Sequence, residues 1–247
     1  MKRVILTFIF IILLISSRAQ VFESGFRLGI YFQPDYSYKT DVVKSVNNPG
    51  QDKPKFGYQT GLQFTNFITT DIFIGTGISF VNRGFCSTFS ENDRVLYKTP
   101  ELSLRYYPAL INNQIPAKRT FYYSFYFLEI PLIFGYKLKV SRNIDFTFKT
   151  GVATDYFLHG TTKIEDCYKD KTTRYPAKFN FKNNSELNYS LFLGSDMNYN
   201  FYKRFTLFAQ PQYDLMLKPI FLENNYRTYN FRILSLGIKI GIKVRFL

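Results

Sequence analysis

The sequence predicts an all-β protein, an eight-stranded antiparallel up-and-down transmembrane β-barrel with long extracellular loops. Three observations lead to this prediction. The chain starts with the pattern of an export signal, eight later segments alternate apolar and polar residues, and long and short connections follow one another. The composition agrees, because aromatic residues favour strands over helices and the 247 residues include 28 Phe and 20 Tyr.

The start of the chain has the order of a secretory signal peptide. Two basic residues precede a predominantly apolar run from Val4 to Ile15, and small residues then lead to a cleavage site after Ala19. This run is too short for a membrane-spanning helix, which needs about 20 residues. We therefore expect residues 1–19 to be removed on export and residues 20–247 to form one barrel domain. The alternative is a buried N-terminal strand or helix.

Eight segments of the mature chain have a period of two. They lie at residues 26–33, 58–64, 72–80, 126–137, 144–156, 187–196, 205–214 and 234–246. In the last and most regular one, Leu236, Ile238 and Ile240 alternate with Gly237 and Lys239. Successive side chains of a strand point to opposite sides, so each segment has an apolar and a polar face. Most segments have nine or more residues, enough for a tilted transmembrane strand.

The connections between these segments alternate in length. The long, polar ones are residues 38–55, 83–121, 159–185 and 218–229, and the short ones are residues 67–70, 139–143 and 200–204. Long loops at one rim and tight turns at the other are typical of bacterial outer-membrane barrels. Residues 94–107 predict a hairpin that projects above the membrane, and a ten-stranded barrel is the alternative.

Glycine placement predicts which face points outward. All nine glycines within the eight segments lie on polar faces: Gly29, Gly61, Gly75, Gly77, Gly135, Gly151, Gly194, Gly237 and Gly241. Small residues are useful inside a narrow barrel, whereas the uniformly bulky apolar faces would overfill it. We therefore expect the apolar faces to contact lipid. A soluble, lipocalin-like barrel with the apolar face inside is the alternative.

This orientation places a nearly balanced set of charges in the lumen. The expected lumen ion network consists of Arg27, Glu129, Lys137, Asp145, Lys149, Asp155, Asp196, Asp214, Lys239, Lys243 and Arg245. Because burying an isolated charge costs several kcal/mol, these groups should pair with one another. We expect them to plug the lumen, which favours structural filling over a transport or proton path.

One strand segment, residues 126–138, resembles a recurrent strand of the PorT-like outer-membrane barrels of Bacteroidota. The matching residues are Leu128, Glu129, Ile130, Pro131 and Leu132. The cleavage region, residues 17–20, is also similar to that of exported proteins of this phylum. The resemblance implies an OmpA-like eight-stranded barrel, and some members of the family serve type IX protein secretion. One departure is that Leu247, and not the aromatic Phe246, ends the chain.

Few residues are candidates for chemistry. Cys86 and Cys167 form a candidate disulfide in an oxidising compartment, with two free thiols as the alternative. His159, the only histidine, is expected to point inward at the rim, where hydrogen bonding is favoured over catalysis. The sequence has neither CxxC nor zinc-ligand spacing nor a phosphate-binding glycine loop. We therefore predict no enzyme activity and no cofactor.

Two further expectations concern particular strands. Tyr122, Tyr123, Phe125 and Tyr126 are expected to belong to the outer aromatic girdle. Bulges or local widening are expected at Pro34, Pro131 and Pro211, because proline cannot donate to a strand ladder.

The expected location is the outer membrane, with a structural or interaction role through the long loops. The net charge of +14 falls to +11 when Lys2, Arg3 and Arg18 leave with the signal. In an exported protein this charge favours outer-membrane lipid and lipopolysaccharide as partners, and no nucleic acid. A protein partner at the extracellular loops or in a secretion complex is also expected. The alternatives are an accessory barrel of a type IX secretion machine and an outer-leaflet lipid-modifying enzyme.

Overall fold

The computed structural model describes residues 25–41, 51–90, 116–169, 171–177, 186–202, 204–224 and 227–246. Its regular elements are ten strands: β1 (Phe26–Asp41), β2 (Gln51–Phe67), β3 (Ile72–Ser90), β4 (Lys118–Lys139), β5 (Ile144–Cys167), β6 (Thr172–Ala177), β7 (Leu187–Asn200), β8 (Phe205–Met216), β9 (Ile220–Asn224) and β10 (Arg227–Phe246). None of the described residues belongs to a helix that could cross a bilayer.

Eight of these strands close into a ring, as the alternation predicted. The order is β1-β2-β3-β4-β5-β7-β8-β10, and β10 pairs back with β1. Neighbouring strands are antiparallel throughout. The short strands β6 and β9 lie outside the ring and extend β5 and β10. The eight-stranded barrel is thus confirmed, while the predicted signal peptide and the hairpin at residues 94–107 lie outside the described residues.

The outward face is apolar and the inward face is polar. On β10, the Ile238 side chain is 55% exposed whereas Lys239 is 6% exposed. The glycines lie where neighbouring strands and side chains approach closely. A Cβ atom at Gly135, for example, would clash with the Phe73 ring. The polar face therefore lines the lumen, as the glycine pattern predicted, and a lipocalin-like arrangement with an apolar lumen is excluded.

The strands differ greatly in length. β3, β4 and β5 have 19, 22 and 24 residues, whereas β7 and β8 have 14 and 12. Much of the sequence predicted as long loops is therefore strand. Each predicted segment ended where its apolar face ended. The backbone hydrogen bonds between strands continue beyond that point, because they do not require an apolar face. Residues 83–90, 118–125, 159–167 and 172–177 form this extension, here called the extracellular wall.

The predicted bulges do not occur at the prolines. The β1–β10 register is the same at Phe32–Ile240 and at Asp35–Gly237, on either side of Pro34. The registers through Pro131 and Pro211 are likewise unchanged. Beside each proline the ladder lacks paired residues on one side only, with no inserted residue, because proline has no N–H to donate to that neighbouring strand.

Two register shifts occur elsewhere. One lies between Pro54 and Tyr58 of β2, and the other between Tyr126 and Phe127 of β4. At the second shift Tyr126 pairs with His159 while Phe127 pairs with Phe157, so β5 carries one extra residue. A bulge of this kind reverses which residues of the strand face inward.

Candidate functional site

The lumen is the first candidate site, and its end near the short turns is filled by aromatic rings and cations. Phe67, Phe73, Ile133 and Phe192 form a buried cluster there. The Arg27 guanidinium carbon lies 4.6 Å from the centroid of the Phe67 ring. The Lys137 ammonium lies 4.9 Å from the same ring centroid. Both cations therefore gain a cation–π contact in place of water.

An ionic group on β5, β7 and β10 completes this end of the lumen. The Asp196 carboxylate accepts hydrogen bonds from the ammonium groups of Lys149, at 2.6 Å, and of Lys243, at 2.5 Å. Lys243 also donates to Asn198 Oδ1 at 2.7 Å and lies 4.1 Å from the centroid of the Phe208 ring. Asp196 is fully buried. One carboxylate thus holds two ammonium groups from two other strands.

A second ionic group, centred on Arg83 of β3, lies farther from the short turns. The fully buried Arg83 side chain contacts Glu129 of β4 at 3.3 Å and Asp214 of β8 at 3.4 Å. Gln59 donates to Glu129 at 2.6 Å, and Gln212 donates to Asp214 at 2.7 Å. This group therefore ties opposite sides of the ring together through the lumen.

An aromatic and aliphatic cluster occupies the end of the lumen near the long loops. Its buried members are Val81, Phe85, Phe125, Phe127, Met216, Ile220, Phe231 and Ile233. Tyr123 packs against it from β4. The expectation that Tyr123 and Phe125 belong to the outer girdle is therefore wrong, because alternate residues of β4 point inward at this height. Tyr126 keeps its predicted place on the outside.

The predicted lumen charges all lie on the inner face, but only some meet. Glu129, Asp145, Asp155, Asp196 and Asp214 are buried, as are Lys149, Lys239 and Lys243, while Arg27, Lys137 and Arg245 are partly exposed. Asp145 accepts a hydrogen bond from Asn200 at 3.0 Å, and Asp155 accepts one from Ser190 at 2.8 Å. The Lys239 ammonium lies 4.2 Å from the Tyr31 ring centroid, beside a cavity with room for about one water molecule.

Sequence reasoning missed the central cation of the second group. Arg83 was assigned to a long loop because the apolar alternation of the third segment ends at Phe80. The polar face of that segment runs through Gly75, Gly77 and Ser79, and continuing the same parity reaches Arg83. Asp35, buried on β1 with Ser37 donating to it at 3.4 Å, was missed in the same way. Parity extended beyond the apolar segment would have found both.

The candidate disulfide is not formed, because Cys86 and Cys167 are both free. They lie on β3 and β5, with β4 between them, and pair with Tyr122 and Lys118 of that strand. Two strand spacings separate them by roughly 10 Å across the sheet, and four residues by about 13 Å along it. A disulfide needs Cα atoms within about 7 Å. Burial raises the pKa of the Cys86 thiol, which disfavours its reactive thiolate.

His159 faces outward, which corrects the inward direction expected from parity. The extra residue of β5 at the second register shift turns its side chain to the outside. The imidazole stacks on Tyr126, with ring centroids 4.3 Å apart and an interplanar angle of 12°. In this arrangement His159 extends the outer aromatic girdle.

A buried ion pair stiffens the extracellular wall. Arg119 of β4 donates two hydrogen bonds to Asp166 of β5, at 2.5 and 2.6 Å. Tyr175 of β6 donates to the same carboxylate at 2.8 Å. Burial, together with the hydrogen bond to Asp166, raises the pKa of the Tyr175 phenol. A fork-shaped Arg–carboxylate contact fixes its partners geometrically, so the three strands are locked together outside the membrane.

Metal binding finds no support within the described ranges, since no group of three or more His, Cys, Asp or Glu side chains there could hold an ion. Tyr175, Asp166 and Arg119 are therefore best understood as a structural group.

Comparison with known proteins gives a family match and several structural likenesses. A family model described as outer membrane protein beta-barrel domain matches residues 17–221. No curated protein matches the sequence significantly. Among solved structures, Neisserial surface protein A has 10% identity, covers 90% of this chain and 97% of its own, and has a TM-score of 0.45.

Two further solved structures are similar at the same level. The outer membrane protein OprG of Pseudomonas aeruginosa has 11% identity, covers 90% of this chain and 96% of its own, and has a TM-score of 0.42. The attachment invasion locus protein Ail of Yersinia pestis has 11% identity, covers 91% and 99%, and has a TM-score of 0.39. The family model, by contrast, includes seven of the eight ring strands, all but β10.

Proposed function

Because this chain belongs to the outer membrane protein beta-barrel domain family, we propose that it is a non-conducting, non-enzymatic barrel that presents the extracellular wall as an interaction surface. Its location is the outer membrane. The observation that carries the proposal is the filled lumen. Two apolar clusters lie at its opposite ends, the Asp196 ionic group lies at the end near the short turns, and the Arg83 ionic group lies farther from those turns.

The filling leaves little room for ions to pass. An eight-stranded barrel has an interior just wide enough for side chains. Here Phe85, Phe125 and Phe231 close the end near the long loops, with ring centroids 4.9 to 6.3 Å apart. The cavity beside Lys239 has room for only about one water molecule. A hydrated ion would have to displace aromatic rings and buried ion pairs to cross, which supports a closed lumen.

The extracellular wall supports the interaction role. Beyond the membrane, β5 continues from His159 to Cys167, about 30 Å of strand at the usual rise. β4 and β6 pair with this part of β5 on its two sides, and β3 pairs with β4. A stiff sheet outside the membrane offers a surface with a defined shape, which suits recognition of another macromolecule better than lipid contact alone.

The absence of catalytic geometry around His159 supports a non-enzymatic role. Its ring stacks flat on Tyr126, and among the described residues it has no carboxylate or hydroxyl partner within hydrogen-bond distance. A general base needs such a partner to be oriented and activated.

Within the family, we further propose that the chain is a PorT-like barrel. The segment Leu128 to Leu132 supports this, and its inward residues have a clear structural use. Glu129 accepts hydrogen bonds from Gln59 and Arg83, and Pro131 lines the cavity beside Lys239. Co-purification with secretion subunits from native membranes would test a type IX secretion role. None of the described residues points to that role specifically.

Planar-bilayer recording tests the closed lumen. The purified barrel is expected to give no steady single-channel current, because the side chains of both clusters and both ionic groups fill its cross-section. A sixteen-stranded porin, inserted under the same conditions, serves as the positive control. Steady, reproducible conductance steps from the wild-type protein would contradict the proposal.

A further inference from the structure

The outer face of β1 to β5 carries a continuous row of rings, here called the aromatic row. It runs from strand to strand through Phe32, Tyr58, Phe80, Tyr126 and His159. Successive ring centroids are 6.3, 6.3, 5.8 and 4.3 Å apart. Aromatic belts of this kind lie at the membrane–water interface. The row therefore marks the height at which lipid headgroups meet the barrel on this side.

Above the aromatic row the outer face keeps the exposed rings of Tyr36 and Phe56 on β1 and β2, and it gains lysines on β2 and β5. Lys53 of β2 pairs with Cys86 of β3, which pairs with Tyr122 of β4, which in turn pairs with Lys163 of β5. Directly opposite residues share one face of a sheet. Lys53 and Lys163 therefore lie in the same row across the strands, on the same side as Tyr122.

Lys55 lies between these two lysines and the aromatic row. Its ammonium group donates to the hydroxyl of Ser124, two residues along β4 from Tyr126 on the same face. Partial burial lowers the pKa of the Lys55 ammonium, and the positive charge of Lys163 acts in the same direction. Ser124 pairs with Thr161 of β5, two residues before Lys163 on the same face, so the Lys55 ammonium and the Lys163 side chain lie near each other.

The carboxylate in this part of the wall is already engaged. Glu165, two residues beyond Lys163, contacts Arg174 of β6 at 2.6 Å. The pair is neutral as a whole, so among the described residues of this face Lys53, Lys55 and Lys163 keep an excess of three positive charges. We call these three side chains the lysine patch. On the opposite side of the barrel, Lys218 lies 4.7 Å from the Tyr189 ring centroid, and no comparable group of cations is described there.

We propose that the lysine patch, with the aromatic row beneath it, binds the phosphate groups of lipid A, the phosphorylated glycolipid of the outer leaflet. Charge complementarity and height support this occupant. On β4, the positions level with the cations lie two and four residues beyond Tyr126 of the aromatic row, at the height of headgroup phosphates. The lysines project from a hydrogen-bonded sheet, which fixes their relative positions. Lipid A carries more than one phosphate on a single sugar backbone, so several ammonium groups engage one molecule. The inference rests on the proposed function in one respect, namely that the extracellular wall lies on the outside of the cell.

The test uses the full barrel, purified in mild detergent and titrated with lipid by native mass spectrometry. The variant replaces the patch: Lys53→Gln, Lys55→Gln and Lys163→Gln. The matched control removes three exposed charges at the opposite rim: Lys139→Gln, Arg142→Gln and Arg204→Gln. The probes are bisphosphorylated lipid A, dephosphorylated lipid A and phosphatidylglycerol. Heat-modifiable mobility on gels checks that each variant is folded.

We expect the affinity of the patch variant for bisphosphorylated lipid A to fall by about tenfold to hundredfold. Each lysine near an anionic surface raises the affinity by about fivefold, and the variant lacks three lysines. The control should lose less than about threefold. Dephosphorylated lipid A should bind weakly to all proteins. Equal losses in both variants, or equal losses for phosphatidylglycerol, would overturn the proposal. Protease cleavage of the wall on intact cells tests the orientation separately, so its failure would count against the proposed function instead.

Discussion

Replacing Arg83 with Met is expected to destabilise the barrel by about 3–5 kcal/mol, the usual cost of removing one partner from a buried ion pair. Arg83 is fully buried and contacts both Glu129 and Asp214. Without its guanidinium, two carboxylates remain in the lumen with no cation between them. Urea unfolding in detergent, followed by heat-modifiable gel mobility, measures the change.

The control and the rescue separate charge from packing. Arg174→Met removes an exposed guanidinium from the wall and is expected to leave the unfolding midpoint unchanged. Arg83→Met combined with Glu129→Gln and Asp214→Asn removes the unpaired charges, so most of the lost stability should return. If the triple variant is no more stable than Arg83→Met alone, the ion pairs are not what Arg83 contributes.

Replacing Asp196 with Asn is expected to have an effect of similar size, about 3–5 kcal/mol. The amide keeps the shape of the carboxylate but leaves the ammonium groups of Lys149 and Lys243 buried without an anion. The same unfolding measurement applies, with the exposed Glu186→Gln as control. Adding Lys149→Met and Lys243→Met should restore stability, because both side chains lie within reach of the apolar Phe208 ring. A loss below about 1 kcal/mol for Asp196→Asn would contradict the account.

The sequence predicted the barrel well because lipid imposes a period of two. Every strand that crosses the membrane needs an apolar outer face, and that face is what made residues such as Ile238 and Ile240 recognisable. The extracellular wall escaped prediction for the same reason. Above the membrane the outer face is free to be polar, and β3, β4 and β5 continue there without the alternation.

The errors of side-chain direction have one cause. Parity predicts which way a residue points only as long as the strand contains no extra residue. The bulge beside Leu158 reverses β5, so His159 faces outward although parity predicted the lumen. No motif in the sequence marks this bulge, and the prolines that were expected to produce bulges keep their registers.

The lumen charges were predicted as a set but not as pairs. Alternation places Asp196, Lys149 and Lys243 on the inner face, each from its own segment. Which of them meet depends on the registers between β5, β7, β8 and β10, and those registers follow from turn lengths and side-chain packing across the whole ring. The pairing of Arg83 with Asp214 across the lumen needs the closed ring itself.

Two isoleucines on β4 give the most direct test of the orientation on which the whole account depends. Ile130 is 51% exposed on the outer face, and Ile133, three residues later, is 4% exposed in the lumen. Methyl NMR of the barrel in nanodiscs, with nitroxide groups on the lipid chains, compares the two directly. We predict strong broadening of the Ile130 methyl signal and little change for Ile133. Broadening of Ile133 with Ile130 preserved would show that the apolar face lines the interior.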